Sequence, residues 1–274
     1  MSKLQTRSRR RFSWLKIVND LAARCGCPPE LIEKVNVDLP RLRIPELILY
    51  PKEFDFPCAE KPNRHYIEAS IDLNRNEAPF PWERLEDNKP ILYCALGTMR
   101  CLSREGYYTF FQSLIRVSAR FPQYQLVLAT GKRVDIADFH SIPANAIIVN
   151  YAPQLKILER AAIMINHGGA NTVKECIYFG VPMIIFPLGF DNPGMAARVV
   201  HHGLGLIGGN IRKATDKHIH SLLAAIDTNP KFKAQADMMK NKFREREDSR
   251  IGIKTIESIL GQRCGVKRAL KQGG

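Results

Sequence analysis

The stretch Ile163–Asn192 constrains the fold of this chain more than any other. It contains an apolar run, the turn Asn166–Gly169 (NHGG), a helix-like segment and a second apolar run. A strand that passes through a His-Gly-Gly turn directly into a helix leaves free backbone N–H groups at the helix N-terminus, where the helix dipole places about half a positive charge. The sequence therefore predicts a site for an anion, such as a phosphate, at this turn.

From residue 91 onward, apolar runs alternate with amphipathic segments. We predict strands at Ile91–Leu96, Gln125–Ala129, Ala146–Val149, Ala162–Asn166, Met183–Phe186 and Leu204–Ile207. We predict helices at Ser103–Arg120, Gln154–Arg160, Asn171–Phe179, Asn192–His202, Asp216–Asp227, Lys231–Glu245 and Ser249–Leu260. Such alternation predicts an α/β fold with a doubly wound, Rossmann-like parallel sheet. In the strand order 3-2-1-4-5-6, the loops after the first and fourth strands, Gly97-Thr98 and His167–Thr172, flank one crevice.

The first ninety residues do not make a complete domain. Residues 1–12 are basic and rich in Ser and Arg, so we predict a disordered tail. Residues 13–73 offer a helix at Trp14–Cys25, a strand at Glu46–Tyr50 and an extended piece at His65–Ile71, which together cannot close a core. Residues 74–90 are polar and contain three prolines, which is typical of a linker. Residues 91–262 then form the main domain and residues 263–274 a tail.

Composition excludes several classes of protein. The 274 residues are 45% hydrophobic and 25% charged, as in ordinary soluble globular proteins. No apolar run reaches the roughly 18 residues of a membrane span, and no signal-peptide core follows Met1. Seven cysteines without regular spacing favour a reducing compartment, and we expect the cytoplasm. The pair Cys25 and Cys27 is too tight for a zinc site and has no matching second pair, so we expect no metal.

The net charge of +14 favours acidic partners. Nucleotide phosphates, nucleic acid and an anionic membrane surface all fit that charge. We expect no nucleic acid, because the chain has neither repeats of RNA-binding type nor basic residues interleaved with aromatic ones. Contact with a membrane surface stays open.

Several spaced motifs resemble the donor-binding signature of UDP-sugar glycosyltransferases. These are two-domain enzymes of the GT-B fold, which include plant natural-product and bacterial macrolide transferases. The motifs are Tyr151-x-Pro153-Gln154, His167-Gly168-Gly169-x-Asn171-Thr172-x-x-Glu175, Gly180-Val181-Pro182, Pro187, Asp191-Asn192 and the turn Ala95-Leu96-Gly97-Thr98. The resemblance covers about residues 88–262. It implies that residues 91–262 are the nucleotide-sugar donor domain and that residues 13–73 are a remnant of the N-terminal, acceptor domain.

The resemblance also implies a role for each motif residue. Tyr151 would stack on the nucleotide base and Gln154 would pair with its edge, although an aromatic in a loop can also simply pack on the sheet. The diphosphate would be bound by a set of residues from the two glycine turns: His167, Gly169, Asn171 and Thr172, with Gly97 and Thr98 beside them. Glycine lets the backbone approach phosphate oxygens, and the side chains donate hydrogen bonds.

Two further roles have structural alternatives. Glu175 would accept hydrogen bonds from the ribose hydroxyls, but Thr172-x-x-Glu175 is also the pattern of a capping box. Asp191 and Asn192 would bind the hydroxyls of the donor sugar, but either is also an ordinary helix N-cap. Asn192 stands where the family commonly has Gln, which leaves the identity of the sugar open.

The resemblance implies no catalytic residue in this sequence. In the family, a His in the N-terminal domain acts as general base on the acceptor hydroxyl, and the other histidines here match no such motif. We therefore expect a UDP-sugar donor domain for hexosyl transfer, independent of metals and cofactors and inactive without an N-terminal half, which could act in trans. The acceptor would be a small molecule, lipid or natural product. The alternatives are a non-catalytic nucleotide-sugar-binding or scaffold protein and, less favoured by the motif order, a nucleotide-sugar epimerase.

Overall fold

The computed structural model describes residues 17, 20–33, 41–57, 61, 63–98 and 101–272. The chain divides into two compact units. The sheet unit comprises Leu49–Cys58 and Ile67–Ile251, and the small unit comprises the residues before 49, residues 59–66 and the residues after 251. The predicted tail at residues 1–12 lies outside the described residues.

Four short strands lie among the described residues of the small unit. Strands β1 (Ile32–Glu33) and β2 (Arg41–Leu42) pair antiparallel, and β3 (Glu46–Ile48) pairs parallel to β4 (Arg64–Tyr66). The predicted strand at Glu46–Tyr50 is therefore confirmed with a shorter extent. Residues 20–24 are helical, as predicted, and the rest of that helix lies mostly outside the described residues.

The sheet unit is built on six parallel strands. They are β5 (Ile91–Ala95), β6 (Gln125–Ala129), β7 (Ala146–Val149), β8 (Ala161–Asn166), β9 (Met183–Ile185) and β10 (Gly205–Ile207). Their order across the sheet is β10-β9-β8-β5-β6-β7. Numbered within this sheet, that order is the predicted 3-2-1-4-5-6, so the doubly wound fold is confirmed. Its reversal of winding falls between β5 and β8, where such folds open a crevice.

Six helices accompany these strands. They are α1 (Arg104–Ser118), α2 (Gln154–Leu158), α3 (Ala170–Phe179), α4 (Asn192–His201), α5 (Asp216–Asp227) and α6 (Lys231–Ser249). Local sequence explains several boundaries: Ser103 caps α1 by accepting from the Gly106 N–H at 3.2 Å, and Gly180 ends α3 with a left-handed φ of 71°. A seventh helix, α7 (Ile251–Gln272), belongs almost wholly to the small unit. The predicted end of that helix at Leu260 is wrong, because it continues through Gly261.

The core of the sheet unit lies on both faces of the sheet, as expected for parallel strands. β5 and β6 are almost entirely buried, and aromatic side chains of α1 such as Phe110 pack on Phe186. The segment Leu49–Cys58 also contributes. Phe54 is fully buried against Phe243 of α6 at 5.8 Å between ring centroids, and the Asp55 carboxylate accepts from Arg198 of α4 at 2.7 Å.

Among the described residues, no helix is both long and apolar enough to cross a bilayer.

Candidate functional site

Two glycine turns meet at the carboxyl edge of the sheet. Gly97 follows β5 with φ of 70°, and His167 follows β8. The His167 ring lies against both turns: a Cβ added at Gly97 would stand 2.3 Å from the ring Cε1, and one added at Gly169 would stand 2.6 Å from the ring Nε2. Only glycine leaves room for the ring at these positions. The two turns therefore lie side by side, as the predicted strand order requires.

The imidazole of His167 is held in a largely buried setting. The Gly168 N–H donates to Asn166 Oδ1 at 2.7 Å, which fixes the turn. The ring Nδ1 is buried, and among the described residues it has no hydrogen-bond partner. Burial, and secondly the positive charge of Arg133, lower the pKa of His167 below its ordinary value, while Asp191 opposes them. The shift favours the neutral form of the imidazole in the ligand-free protein.

Helix α3 presents its N-terminus to the same turn. Its N-cap is Gly169, which has no side chain to cap the helix, so the first backbone N–H groups remain available. Asn171, in the first turn of the helix, is exposed. Thr98, on the opposite turn, is also exposed. Free N–H groups, the helix dipole and exposed donors together favour an anion here.

The carboxylate of Glu175 is buried in a polar network. Its Oε1 accepts from Arg75 at 2.5 Å and its Oε2 from Gln154 Nε2 at 2.5 Å. Gln154 in turn accepts from the Tyr93 hydroxyl at 3.4 Å and lies 3.5 Å from Thr172 Oγ1. The capping-box alternative is wrong, because the helix begins at Ala170 and Glu175 bonds to side chains rather than to the helix start.

Tyr151 stands apart from this network. Tyr151 follows β7 in the chain. It is 52% exposed, so it does not pack into the sheet as a core aromatic would. The ammonium of Lys132 lies 5.7 Å from the centroid of the ring, a cation–π distance. An exposed ring with a cation near it is a surface on which a flat base can stack.

Asp191 and Asn192 lie at the start of α4. Asp191 occupies the N-cap position, but its side chain makes no capping bond, so the N-cap alternative does not account for it. Asn192 is 5% exposed, and its Nδ2 donates to Asp191 Oδ1 at 3.3 Å. A Cβ added at Gly168 would stand 3.1 Å from the Asn192 carbonyl oxygen. The pair therefore borders the turn that carries His167.

Known proteins are similar to this chain in sequence and in fold. Residues 124–248 match the family described as erythromycin biosynthesis protein CIII-like, C-terminal domain. A UDP-glucosyltransferase of Bacillus subtilis (strain 168), YdhE, itself described as uncharacterized, is 28% identical over 201 residues, or 72% of this chain and 48% of that protein. The zeaxanthin glucosyltransferase of Pantoea ananas is 26% identical over 229 residues, or 79% of this chain and 50% of that protein. These matches support a relationship of this chain to the UDP-glycosyltransferases.

The fold agrees with the family. The crystal structure of CalG4, the calicheamicin glycosyltransferase, superposes with a TM-score of 0.67 at 19% identity and covers 90% of this chain and 58% of that chain. The six-stranded sheet thus has the fold of the Rossmann-like half of GT-B glycosyltransferases. The chain spans about half the length of the curated relatives that it matches.

Sequence reasoning missed two arginines of this chain. Arg75 comes from the segment predicted to be a linker, and its neighbour Glu77 accepts from the Leu155 N–H of α2 at 2.9 Å. Arg133 follows β6 and is 8% exposed, with one N–H donating to the Gly97 carbonyl. The position of Arg133 at the carboxyl end of a strand was the only signal in the sequence. Arg75 gave none, since its partner is 100 residues away.

The Arg75–Glu175 pair leads to an asymmetric stability prediction. Arg75→Met leaves a buried carboxylate without its cation, whereas Glu175→Gln leaves a guanidinium whose side chain is already 35% exposed. Breaking a buried pair is strongly destabilising, but exposure of one partner weakens the effect, so we expect Arg75→Met to lose about 1–2 kcal/mol. Glu175→Gln should lose less. Urea unfolding at pH 7 measures both, and equal losses would contradict this account of the pair.

Proposed function

We propose that the crevice between Gly97 and His167 binds the diphosphate of a UDP-sugar. The observation that carries this proposal is the position of the His167 ring, in contact with both glycine turns at the N-terminus of α3. A neutral imidazole supplies an N–H donor, and the free amides of the helix supply others. Asn171 and Thr172 add side-chain donors, with Thr98 on the opposite turn.

From the diphosphate at His167, the base and ribose of the donor extend to one side and the sugar to the other. Tyr151 stacks on the base and Gln154 pairs with its edge. Glu175 accepts from the ribose hydroxyls; its contacts with Arg75 and Gln154 hold the carboxylate in place before a ligand binds. On the other side, Asp191 and Asn192 bind the sugar hydroxyls.

The reaction in this proposal is hexosyl transfer to an acceptor hydroxyl. Negative charge grows on the departing diphosphate as the glycosidic bond to the donor breaks. The donors around His167 therefore stabilise the transition state more than the ground state. Deprotonation of the acceptor requires a general base, which we assign to an N-terminal half supplied in trans or in a longer chain. This chain alone binds the donor without transferring the sugar.

The acceptor is a small molecule, lipid or natural product, and the setting is the cytoplasm. No nucleic-acid partner and no metal is part of the proposal.

A second candidate is a nucleotide-sugar-binding protein without catalysis. The observation that favours it is the role of four histidines in the sheet unit. His202 and His218 each bond a backbone carbonyl, at 3.1 and 2.9 Å, and His201 and His220 pack on phenylalanine rings. These four histidines thus have structural contacts. Adding the N-terminal half of a relative and assaying transfer to its acceptor separates the two candidates.

Calorimetric titration with UDP tests the donor site. His167→Ala removes a hydrogen bond to a charged group, worth about 1.5–3 kcal/mol, so UDP should bind about 10- to 100-fold more weakly. His140→Ala is the matched control, because His140 is exposed and lies outside the crevice. Its affinity should equal that of the wild type. Absence of binding at millimolar UDP, or equal affinity in His167→Ala and wild type, would refute the proposal.

A further inference from the structure

Arg133 is a buried cation beside the donor crevice. Arg133 is 8% exposed, and its Cζ lies 5.0 Å from the centroid of the Tyr107 ring. One Nη donates to the Thr130 carbonyl at 3.2 Å and the other donates to the Gly97 carbonyl. The side chain therefore joins the loop after β6 to the turn after β5.

The charge of Arg133 is not paired with a carboxylate in the part of the chain that the structure describes. Among the described residues, no carboxylate forms an ion pair with it, and its Nε is buried without a hydrogen-bond partner. Asp135, two residues away, accepts instead from the Ala137 N–H at 3.0 Å. A guanidinium does not lose its proton in proteins, and an unpaired buried charge is strongly unfavourable. An anion bound near Arg133 would reduce this unfavourable free energy.

A tight backbone turn places Arg133 at this position. Gly131 and Lys132 have φ of 64° and 57°, and the Arg133 N–H donates back to the Thr130 carbonyl at 3.3 Å, which is a tight type I′ turn. A Cβ at Gly131 would stand 2.0 Å from an Arg133 Nη. Lys132 adopts a left-handed conformation that is unfavourable for a lysine, and such strain concentrates at functional sites.

Arg133 also acts on His167 across the Gly97 turn. The guanidinium donates to the Gly97 carbonyl, and the imidazole occupies the space that a Cβ of the same residue would need. The positive charge of Arg133 contributes to the lowered pKa of His167. Both groups therefore share one electrostatic environment, which carries excess positive charge near the helix N-terminus of α3.

We propose that Arg133 is a positioning residue of the donor site, which holds the Gly97 turn against His167 and supplies the fixed positive charge that a bound diphosphate neutralises. The inference rests on the proposed function. In this proposal, Arg133 is the reason why the donor site prefers a nucleoside diphosphate to an uncharged nucleoside. Arg133 acts in two ways: its hydrogen bond to the Gly97 carbonyl holds the turn, and its positive charge attracts the diphosphate electrostatically.

The test compares UDP with uridine, which lacks the diphosphate. Titrations use the wild type, Arg133→Met, Arg133→Lys and Arg133→Gln, the last of which retains N–H donors without the charge. We expect Arg133→Met and Arg133→Gln to lower UDP affinity at least about 10-fold while uridine affinity stays within about twofold, since a charge-assisted interaction is lost. Arg133→Lys should retain most of the preference for UDP. Arg116→Met, which removes an exposed arginine paired with Asp216, is the control.

The outcomes separate the inference from its premise. If the Met and Gln variants lose affinity for UDP and for uridine by the same factor, the role of Arg133 is purely structural and the inference is wrong. The inference is also wrong if the ratio of UDP affinity to uridine affinity stays that of the wild type. If Arg133→Met does not fold, the Gln and Lys variants decide. A wild type that binds neither ligand contradicts the proposed function itself. NMR titration of His167 gives a further readout: its pKa should rise in Arg133→Gln toward the ordinary value, and an unchanged pKa would count against the shared environment.

Discussion

Gly97→Ala is expected to lower UDP affinity by about 100-fold or more, at least as much as the loss of the His167 side chain. The new Cβ would stand 2.3 Å from Cε1 and 2.5 Å from Nε2 of the imidazole, so the ring must leave its position. The backbone at φ of 70° also disfavours alanine by about 1 kcal/mol. Titration with UDP measures the loss.

Two controls isolate the collision with His167. Gly209→Ala places a Cβ on a backbone of similar φ, 73°, where nothing lies within 4 Å, so it reports the backbone effect alone and should leave UDP affinity nearly unchanged. The double variant Gly97→Ala/His167→Ala should bind UDP no more weakly than Gly97→Ala, because the colliding ring is gone. If the two substitutions were additive, Gly97 would act independently of His167 and the geometry of the crevice would be wrong.

Phe54→Ala is expected to destabilise the protein by about 3–5 kcal/mol, which is the usual loss for a buried Phe. The ring is fully buried between Phe243 at 5.8 Å, His202 at 5.7 Å and Tyr50 at 5.4 Å. Phe54 lies in the stretch predicted to be a remnant of another domain, so the measurement also tests that boundary. A large loss means that the segment Leu49–Cys58 is an integral part of the sheet unit.

Phe190→Ala is the matched control for stability, since its ring is 78% exposed. Thermal or urea unfolding should place it within about 0.5 kcal/mol of the wild type. A loss for Phe54→Ala as small as that for Phe190→Ala would mean that the leading segment folds apart from the sheet.

The fold of the sheet unit could be predicted because its signals are local. Each strand is an apolar run bounded by a loop, and the alternation with helices leaves few topologies. The predicted end of α7 was wrong for a local reason as well. Gly261 follows Leu260, but glycine inside a helix costs only about 1 kcal/mol, so it does not by itself end one.

The candidate site was predictable only in part. The turns at Gly97 and His167 could be predicted because glycine directly after a strand usually marks a tight turn. The network around Glu175 was not readable, because Arg75 lies 100 residues away in a polar segment that looks like a linker. The bond from Arg133 to Gly97 spans 36 residues and depends on two left-handed residues, which no sequence pattern shows. Long-range polar contacts need the fold before they can be seen.

The central claim is that a nucleoside diphosphate binds where the two glycine turns meet. The most direct measurement is a titration of isotope-labelled protein with UDP, followed by NMR of the backbone amides and the imidazole of His167. The account predicts that the largest shifts fall on Gly97, His167 and the first residues of α3, with the pKa of His167 rising as the diphosphate binds. Saturating shifts at another edge of the sheet, or none at millimolar UDP, would contradict it.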